Sequence, residues 1–323
     1  MSLAPDPHQP SQAALLTSPA PGSTSAIETH GLSKQFGQRK AVDGLTITIP
    51  AGTIAGFIGP NGAGKTTTIR LLLGLVRPSA GGATILGQPL ANPRSYLPRV
   101  GALIEAPTFY PSLSGRTNLE VLAHLAGSSR ARVDQVLEMV DLSDRARDRV
   151  GSYSLGMKQR LGVAMALLTD PDLLILDEPA NGLDPLGIIW TRDLLRRLRE
   201  QGKTIFLSSH LLGELEQVAD WLVMIHQGKA IYNGPARAFL DHRDALIVET
   251  RDAAQRDLVA AIAGAAGYTV TVDNDALTIV CPLDFSAELK RQASDAGVAH
   301  LTIRAKETSF EERFLTLLKG ELR

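Results

Sequence analysis

From Ile27 to about Asp241, short apolar and β-branched runs alternate with longer stretches at helical spacing, the pattern of an α/β protein built on a largely parallel sheet. TIAGFIG (53–59) predicts a buried strand. It runs through PNGAG into KTTTIRLLLGLV (65–76), where Ile69, Leu72, Leu73 and Val76 fall on one helical face. DLLILD (172–177) and TIFLSS (204–209) predict two more buried strands. The amphipathic stretch WTRDLLRRLREQG (190–202), stopped by Gly202, supplies the crossover helix of a βαβ unit. Between these, from about Gln88 to Leu168, β-branched runs are scarce, and helical periods at NLEVLAHLAG and ARVDQVLEMVDL predict a helical insertion.

The character changes after Gly234 and Pro235. ALIVET, a helix at about 253–266, YTVTVD, ALTIVC, a helix at about 285–296, VAHLTIRA and a closing helix SFEERFLTLL follow in turn. Their order, βαββαβ, is the split βαβ arrangement of ferredoxin-like domains. The expected organisation is therefore a tail over 1–26, an α/β domain over 27–241 with its insertion at about 88–168, and a small α+β domain over 242–323. A length of 323 residues fits two domains at about 150 residues each. The first 26 residues hold five prolines and no Lys or Arg, which predicts a disordered tail. That tail lacks the basic start and the apolar core of a secretory signal, so the chain is expected to stay inside the cell.

Charge and hydropathy narrow the class further. Lys and Arg number 33 against 34 Asp and Glu, a net charge of −1, so the chain lacks the field expected of a nucleic-acid binder. No apolar run approaches the roughly 18–20 residues needed to span a bilayer, so this chain cannot itself form a pore. The only cysteine, Cys281 in TIVCP, excludes an internal disulfide and reads as a small buried apolar group.

The chemistry concentrates in two places. GPNGAGKT (59–66) fits G-x-x-x-x-G-K-[ST] and lies between a predicted strand and a predicted helix, where the phosphate-loop mechanism needs it. Gly59, Gly62 and Gly64 permit a backbone that turns successive N–H groups toward phosphate oxygens. Lys65 is placed to reach the β and γ oxygens, and Thr66 to ligate Mg²⁺. LLILDEP (173–179) ends a buried strand in two acids, which is costly without a metal or donor to meet them. Asp177 is the expected Mg²⁺ ligand, and Glu178 the group that orients an attacking water. Read alone, LLILDEP is a strand-to-turn junction; the two motifs together point to nucleotide hydrolysis, with ATP and Mg²⁺ as cofactors.

With these motifs in order and YSLGMKQR (153–160) ahead of the acidic strand, the sequence resembles the ATP-binding cassette family, the motor subunits of ABC transporters. The resemblance covers about 28–241 and implies a P-loop NTPase cassette. Asn61, Ala63 and Thr67 then join the glycines and Lys65 around the phosphates. Ser154 and Gly156 stand where the family's LSGGQ-type signature touches nucleotide, although Leu155 and Met157 depart from it. The same letters also read as an ordinary helix start capped by Ser154. Asn181 to Asp184 resembles the D-loop, His210 the switch histidine at the γ-phosphate, and Phe36 the aromatic that stacks on adenine, with a core residue as its plainer reading. Glu105 stands where most members carry the Q-loop glutamine. An ionised carboxylate only accepts hydrogen bonds, so it is either a metal or metal-water ligand or a charged contact toward the permease. Members that export bacitracin or lantibiotics look similar at this position.

The resemblance implies an ATPase that closes head to tail as a homodimer and drives a separately encoded membrane permease from the cytoplasmic face. A drug, peptide antibiotic or lipid-like compound is the expected cargo. A cassette acting on ribosomes or nucleic acid is the second class; members of that kind carry two cassettes per chain or long coiled coils, and neither is present. The last 82 residues also suit an effector-binding module, which is compatible with transport.

Overall fold

Runs too apolar to leave either face in water become inner strands of a parallel sheet, and this rule organises the chain as far as Ala236. The computed structural model describes residues 24–105, 108–209, 212–240, 245–273, 276–306 and 310–321. In the first unit, β1 (Ser25–Phe36), β2 (Arg39–Leu45) and β3 (Thr48–Pro50) precede β4 (Ile54–Ile58), which leads into α1 (Lys65–Leu72). Then come β5 (Ala80–Ile85), β6 (Gln88–Pro89), β7 (Val100–Leu103), α2 (Gly115–Ala126), α3 (Arg130–Met139) and α4 (Leu155–Leu167). The unit continues with β8 (Leu173–Asp177), α5 (Pro185–Glu200), β9 (Thr204–Ser209), α6 (Leu212–Glu216), β10 (Trp221–His226) and β11 (Lys229–Pro235), after which α7 (Ala236–Leu240) begins.

The main sheet runs β11-β10-β4-β9-β8-β7, parallel throughout except for β11 at one edge. Every residue of β4, β8 and β9 is buried. Phe57 and Phe206 meet between the central strands with ring centroids 5.0 Å apart. A second, antiparallel sheet runs β2-β1-β5-β6, with β3 also on β1.

The structure differs from the sequence reading in two places here. Val100–Leu103, inside the stretch expected to be a helical insertion, forms the edge strand β7 beside β8, in register from Val100 opposite Leu173. A Cβ on Gly101 would run into the Ala166 carbonyl, so α4 packs directly on this strand's backbone. A four-residue apolar run carries too little periodicity to separate strand from helix, which is why the pattern missed it. Ser25 and Ala26, expected in the tail, open β1, and Ala26 is buried. The rest of that tail, residues 1–23, lies outside the described residues.

The second unit begins at Arg237. Its elements are β12 (Ala245–Thr250), α8 (Ala253–Ala265), β13 (Thr269–Asp273), β14 (Ala276–Val280), α9 (Phe285–Asp295), β15 (Leu301–Ala305) and α10 (Phe310–Glu321). The sheet order is β13-β14-β12-β15, antiparallel at every pairing, which is the ferredoxin-like order. Alternate residues of the strands, Leu246, Val248, Leu277 and Ile279, bury against Val259, Ala263, Leu289 and Ala293 of the two helices.

Cys281 packs into that core, and burial pushes its thiol up to about 11. At pH 8 its thiolate fraction is then about 200-fold below that of a free cysteine, whose pKa is about 8.5. The folded chain is therefore expected to resist maleimide at pH 8 and to take up one equivalent on unfolding in guanidinium. Labelling of the native chain at the free-thiol rate would contradict this packing.

Candidate nucleotide site

The C-terminal edge of the parallel sheet carries the chemistry. Leaving β4, the chain turns at Gly59, where a Cβ would stand 2.5 Å from the Ile225 carbonyl oxygen, and wraps through residues 60–64 into α1. Gly64 caps the helix at φ 110°, and a side chain there would also collide with the Ala41 carbonyl. The loop thus presses on β2 and β10, and only glycine allows that approach. Lys65 is 8 % exposed, and its Nζ donates to the Gly59 carbonyl at 2.7 Å, curling back over the loop it follows. The same Nζ lies 3.9 Å from Glu178 Oε1. A helix N-terminus and a lysine at one concave turn suit an anion.

Opposite the loop, β8 and β9 run parallel with Asp177 beside Ser208. Asp177 is 4 % exposed. Its Oδ2 accepts from Thr66 Oγ1 at 2.9 Å and its Oδ1 from Ser208 Oγ at 2.5 Å. Ser208 Oγ in turn accepts the Glu178 backbone N–H at 2.9 Å. Glu178 has φ 51°, in the left-handed region that a side chain rarely adopts. Ser208 was not singled out from the sequence; the signal was available in TIFLSS, whose penultimate serine pairs with the strand-end aspartate once the two strands align.

These elements border a cleft of about 430 Å³. Phe36, Asn61, Gly62, Gly64, Lys65, Thr66, Thr67 and Glu178 line it, together with Arg39, Ala41 and Pro60. The sequence reading missed Arg39, whose Nη2 reaches the Gly62 carbonyl at 3.4 Å. Phe36 is no core residue: its ring is 52 % exposed at the cleft, with Lys34 Nζ 5.0 Å from the centroid. Ala63 is buried behind the loop, its carbonyl accepting from Gly228 N–H.

Other expected site residues lie elsewhere. Ser154 caps α4 by accepting the Met157 N–H at 3.2 Å, and Asp184 caps α5 by accepting the Gly187 N–H at 2.9 Å. Neither they nor Gly156 line the cleft. Glu105, expected either as a metal ligand or as a charged contact toward the permease, ion-pairs with Arg70 of α1 and does not line the cleft. Its φ of 57° turns the chain just past β7, and its charge goes to the guanidinium one and a half turns down α1 from Lys65. His210 lies outside the described residues.

The family model described as ABC transporter matches residues 42–181. The bacitracin transport ATP-binding protein BcrA of Bacillus licheniformis is 40 % identical over 306 residues, 92 % of this chain and 98 % of that protein. The chain belongs to the ABC transporter ATP-binding family. The daunorubicin resistance ATP-binding protein DrrA3 of Streptomyces coeruleorubidus is 35 % identical over 93 % of this chain and 98 % of its own. A solved ATP-binding subunit of an ABC transporter superposes with a TM-score of 0.61 at 31 % identity, covering 66 % of this chain and 91 % of that one.

As an ATP-binding cassette, the chain is an ATPase and the motor subunit of a transporter. The Asp177, Ser208 and Glu178 relay then fixes both acids at one point. Ser208→Ala would leave a buried carboxylate oxygen and the Glu178 N–H each short of a partner. Turnover is expected to fall about 10- to 100-fold with ATP affinity near wild type, as for other groups that orient a site's ligands. A steady-state assay beside a nucleotide titration measures both, and turnover equal to wild type would remove Ser208 from the site.

Proposed function

We propose that two identical copies of this chain close head to tail over ATP and power a separately encoded membrane permease that exports a drug, peptide antibiotic or lipid-like compound. The observation that carries the pairing is the division of the expected site residues. One set lines the cleft, whereas Ser154 and Gly156 lie outside it at the start of α4, with Gly156 facing the D-loop, Leu183 Cδ2 standing 3.7 Å from an added Cβ. On this reading a second copy supplies the other half of the chemistry. Exposed Leu155, Leu186 and Ile189 surround that second region and suit contact with another protein surface.

In the closed pair, the phosphate-loop amides and Lys65 bind the β and γ oxygens of one nucleotide, and the partner's Ser154 adds a hydroxyl and a helix N-terminus. Thr66 and Asp177 offer two hard oxygens 2.9 Å apart beside the phosphates, a donor set suited to Mg²⁺, which usually takes one or two protein ligands. Bound there, Mg²⁺ would neutralise charge on the transferring phosphoryl group. Glu178 orients the attacking water and accepts its proton. Phe36 offers an exposed ring face on which adenine stacks, worth about 0.5–1.5 kcal/mol beyond its area by analogy with aromatic pairs. For Glu105 we favour a role at the permease over metal binding, because Arg70 already holds the carboxylate outside the cleft.

Support for export comes from the named relatives, one of bacitracin transport and one of daunorubicin resistance, whose likeness runs through the second unit as well. No helix among the described residues is long and apolar enough to cross a membrane. A cytoplasmic, peripheral position on a permease is compatible with that.

Two experiments test this reading. Copurification from native membranes, followed by mass spectrometry, should return a multi-span membrane protein in stable association; recovery equal to that on protein-free liposomes would contradict a permease. Glu178→Gln should keep ATP affinity near wild type and lower turnover by about 10²-fold or more, while trapping an ATP-dependent dimer visible by size exclusion. For the companion acid, Glu105→Gln should leave the Mg²⁺ midpoint of the isolated ATPase unshifted, and a clear shift would return Glu105 to the metal.

A further inference from the structure

Three side chains outside the cleft form a junction between elements far apart in the sequence. Trp190, half-buried on α5, donates its indole N–H to Asp141 Oδ2 at 2.7 Å. The Arg160 guanidinium carbon, on α4, stands 4.2 Å from the centroid of the same indole, well inside cation–π range, and its Nη1 lies 3.8 Å from the same carboxylate oxygen. Asp141 sits just past the end of α3 at φ 53°, with its own N–H on Glu138 and the Leu142 N–H on the Leu137 carbonyl. That is the helix-ending position where glycine is at ease. Here an aspartate accepts the strained backbone, and its carboxylate meets both the indole and the guanidinium.

The start of α4 also touches the loop that leads into α5. Leu155, the first residue of α4, lies over Gly182, where an added Cβ would come within 2.9 Å of its Cδ2. A bulky residue in the signature is accommodated by a missing side chain in the D-loop. The segment carrying Ser154 is therefore held to residues 182–183 at one end and to α5 through Trp190 further along.

We infer that Trp190, Asp141 and Arg160 are positioning residues that fix the signature helix α4 to the D-loop helix α5 of the same chain, so that Ser154 is presented to a partner's nucleotide in a set orientation. This rests on the paired-copy reading above. None of the three touches the cleft, so nucleotide binding to a single copy should not sense them. The step that needs the second copy should. Each contact is partly exposed and individually weak, but a catalytic group displaced by about 1 Å can lose about 10²-fold in rate.

The test uses the full chain. Trp190→Ala is expected to lower kcat about fivefold or more while its affinity for a fluorescent ATP analogue stays within about twofold. Trp190→Phe keeps a ring face for Arg160 but loses the N–H, and should fall between the two. Adding Arg160→Ala to Trp190→Ala should cost less than the sum of the two single changes, because the indole–guanidinium contact is already broken. In a Glu178→Gln background, Trp190→Ala should also raise the ATP concentration needed for dimerisation. If the alanine variant fails to fold by circular dichroism, Trp190→Phe and Asp141→Asn carry the same kcat comparison. Unchanged kcat, or equal losses in kcat and nucleotide affinity, would overturn the inference. Absence of any ATP-dependent dimer in Glu178→Gln alone would strike instead at the paired-copy reading.

Discussion

A carboxylate buried at the end of an apolar strand has to be met by donors, because the effective penalty for an unpartnered ion is several kcal/mol. Asp177 is that carboxylate, and its two oxygens take hydroxyl hydrogen bonds from opposite directions, Thr66 on one side and Ser208 on the other. Thr66 belongs to the helix that follows β4, and Ser208 to β9. The strand order β4-β9-β8 brings both within reach, and the parallel register puts Ser208 directly beside Asp177. Sheet topology and nucleotide chemistry are thus one arrangement: a slip of β9 that set Leu207 beside Asp177 would leave the acid unmet.

The same serine extends the constraint to Glu178. Holding a non-glycine residue at φ 51° costs on the order of 1–3 kcal/mol, and the conformation persists only where its surroundings over-determine it. The hydrogen bond from the Glu178 N–H to Ser208 is one such restraint. The proximity of the Lys65 ammonium, 3.9 Å from its carboxylate, is another. Backbone strain at this residue separates two adjacent acids into two roles, one buried against hydroxyls and one lining the cleft.

The parts of the site legible in the sequence are those whose partners lie close along the chain. Gly59 to Thr67 announce themselves because loop, lysine and helix start are contiguous, and Asp177 and Glu178 because a strand of apolar residues ends in acids. The α+β unit was legible because its strands alternate one buried and one open position, as in Leu246 and Val248. Ser208, Arg39 and the Trp190 junction were not, since each depends on a partner 23 to 49 positions away that only the fold supplies. β7 was lost because four apolar residues have no readable period. Glu105 left a metal ligand and a permease contact both open in the sequence, and Arg70, 35 positions away, is the partner that the fold brings to its charge.

The central claim is that each nucleotide is served by the cleft of one copy and the signature helix of another. Mixing two inactive chains tests it most directly. Lys65→Ala removes the phosphate-loop lysine and Ser154→Ala the signature hydroxyl, and each homodimer then carries two defective sites. In the mixed dimer both defects fall on the same site and the other is whole. ATPase activity of the mixture should rise well above the sum of the separate variants, in proportion to the heterodimer formed. Activity that stays at that sum while heterodimers form by mass measurement would contradict the shared-site account.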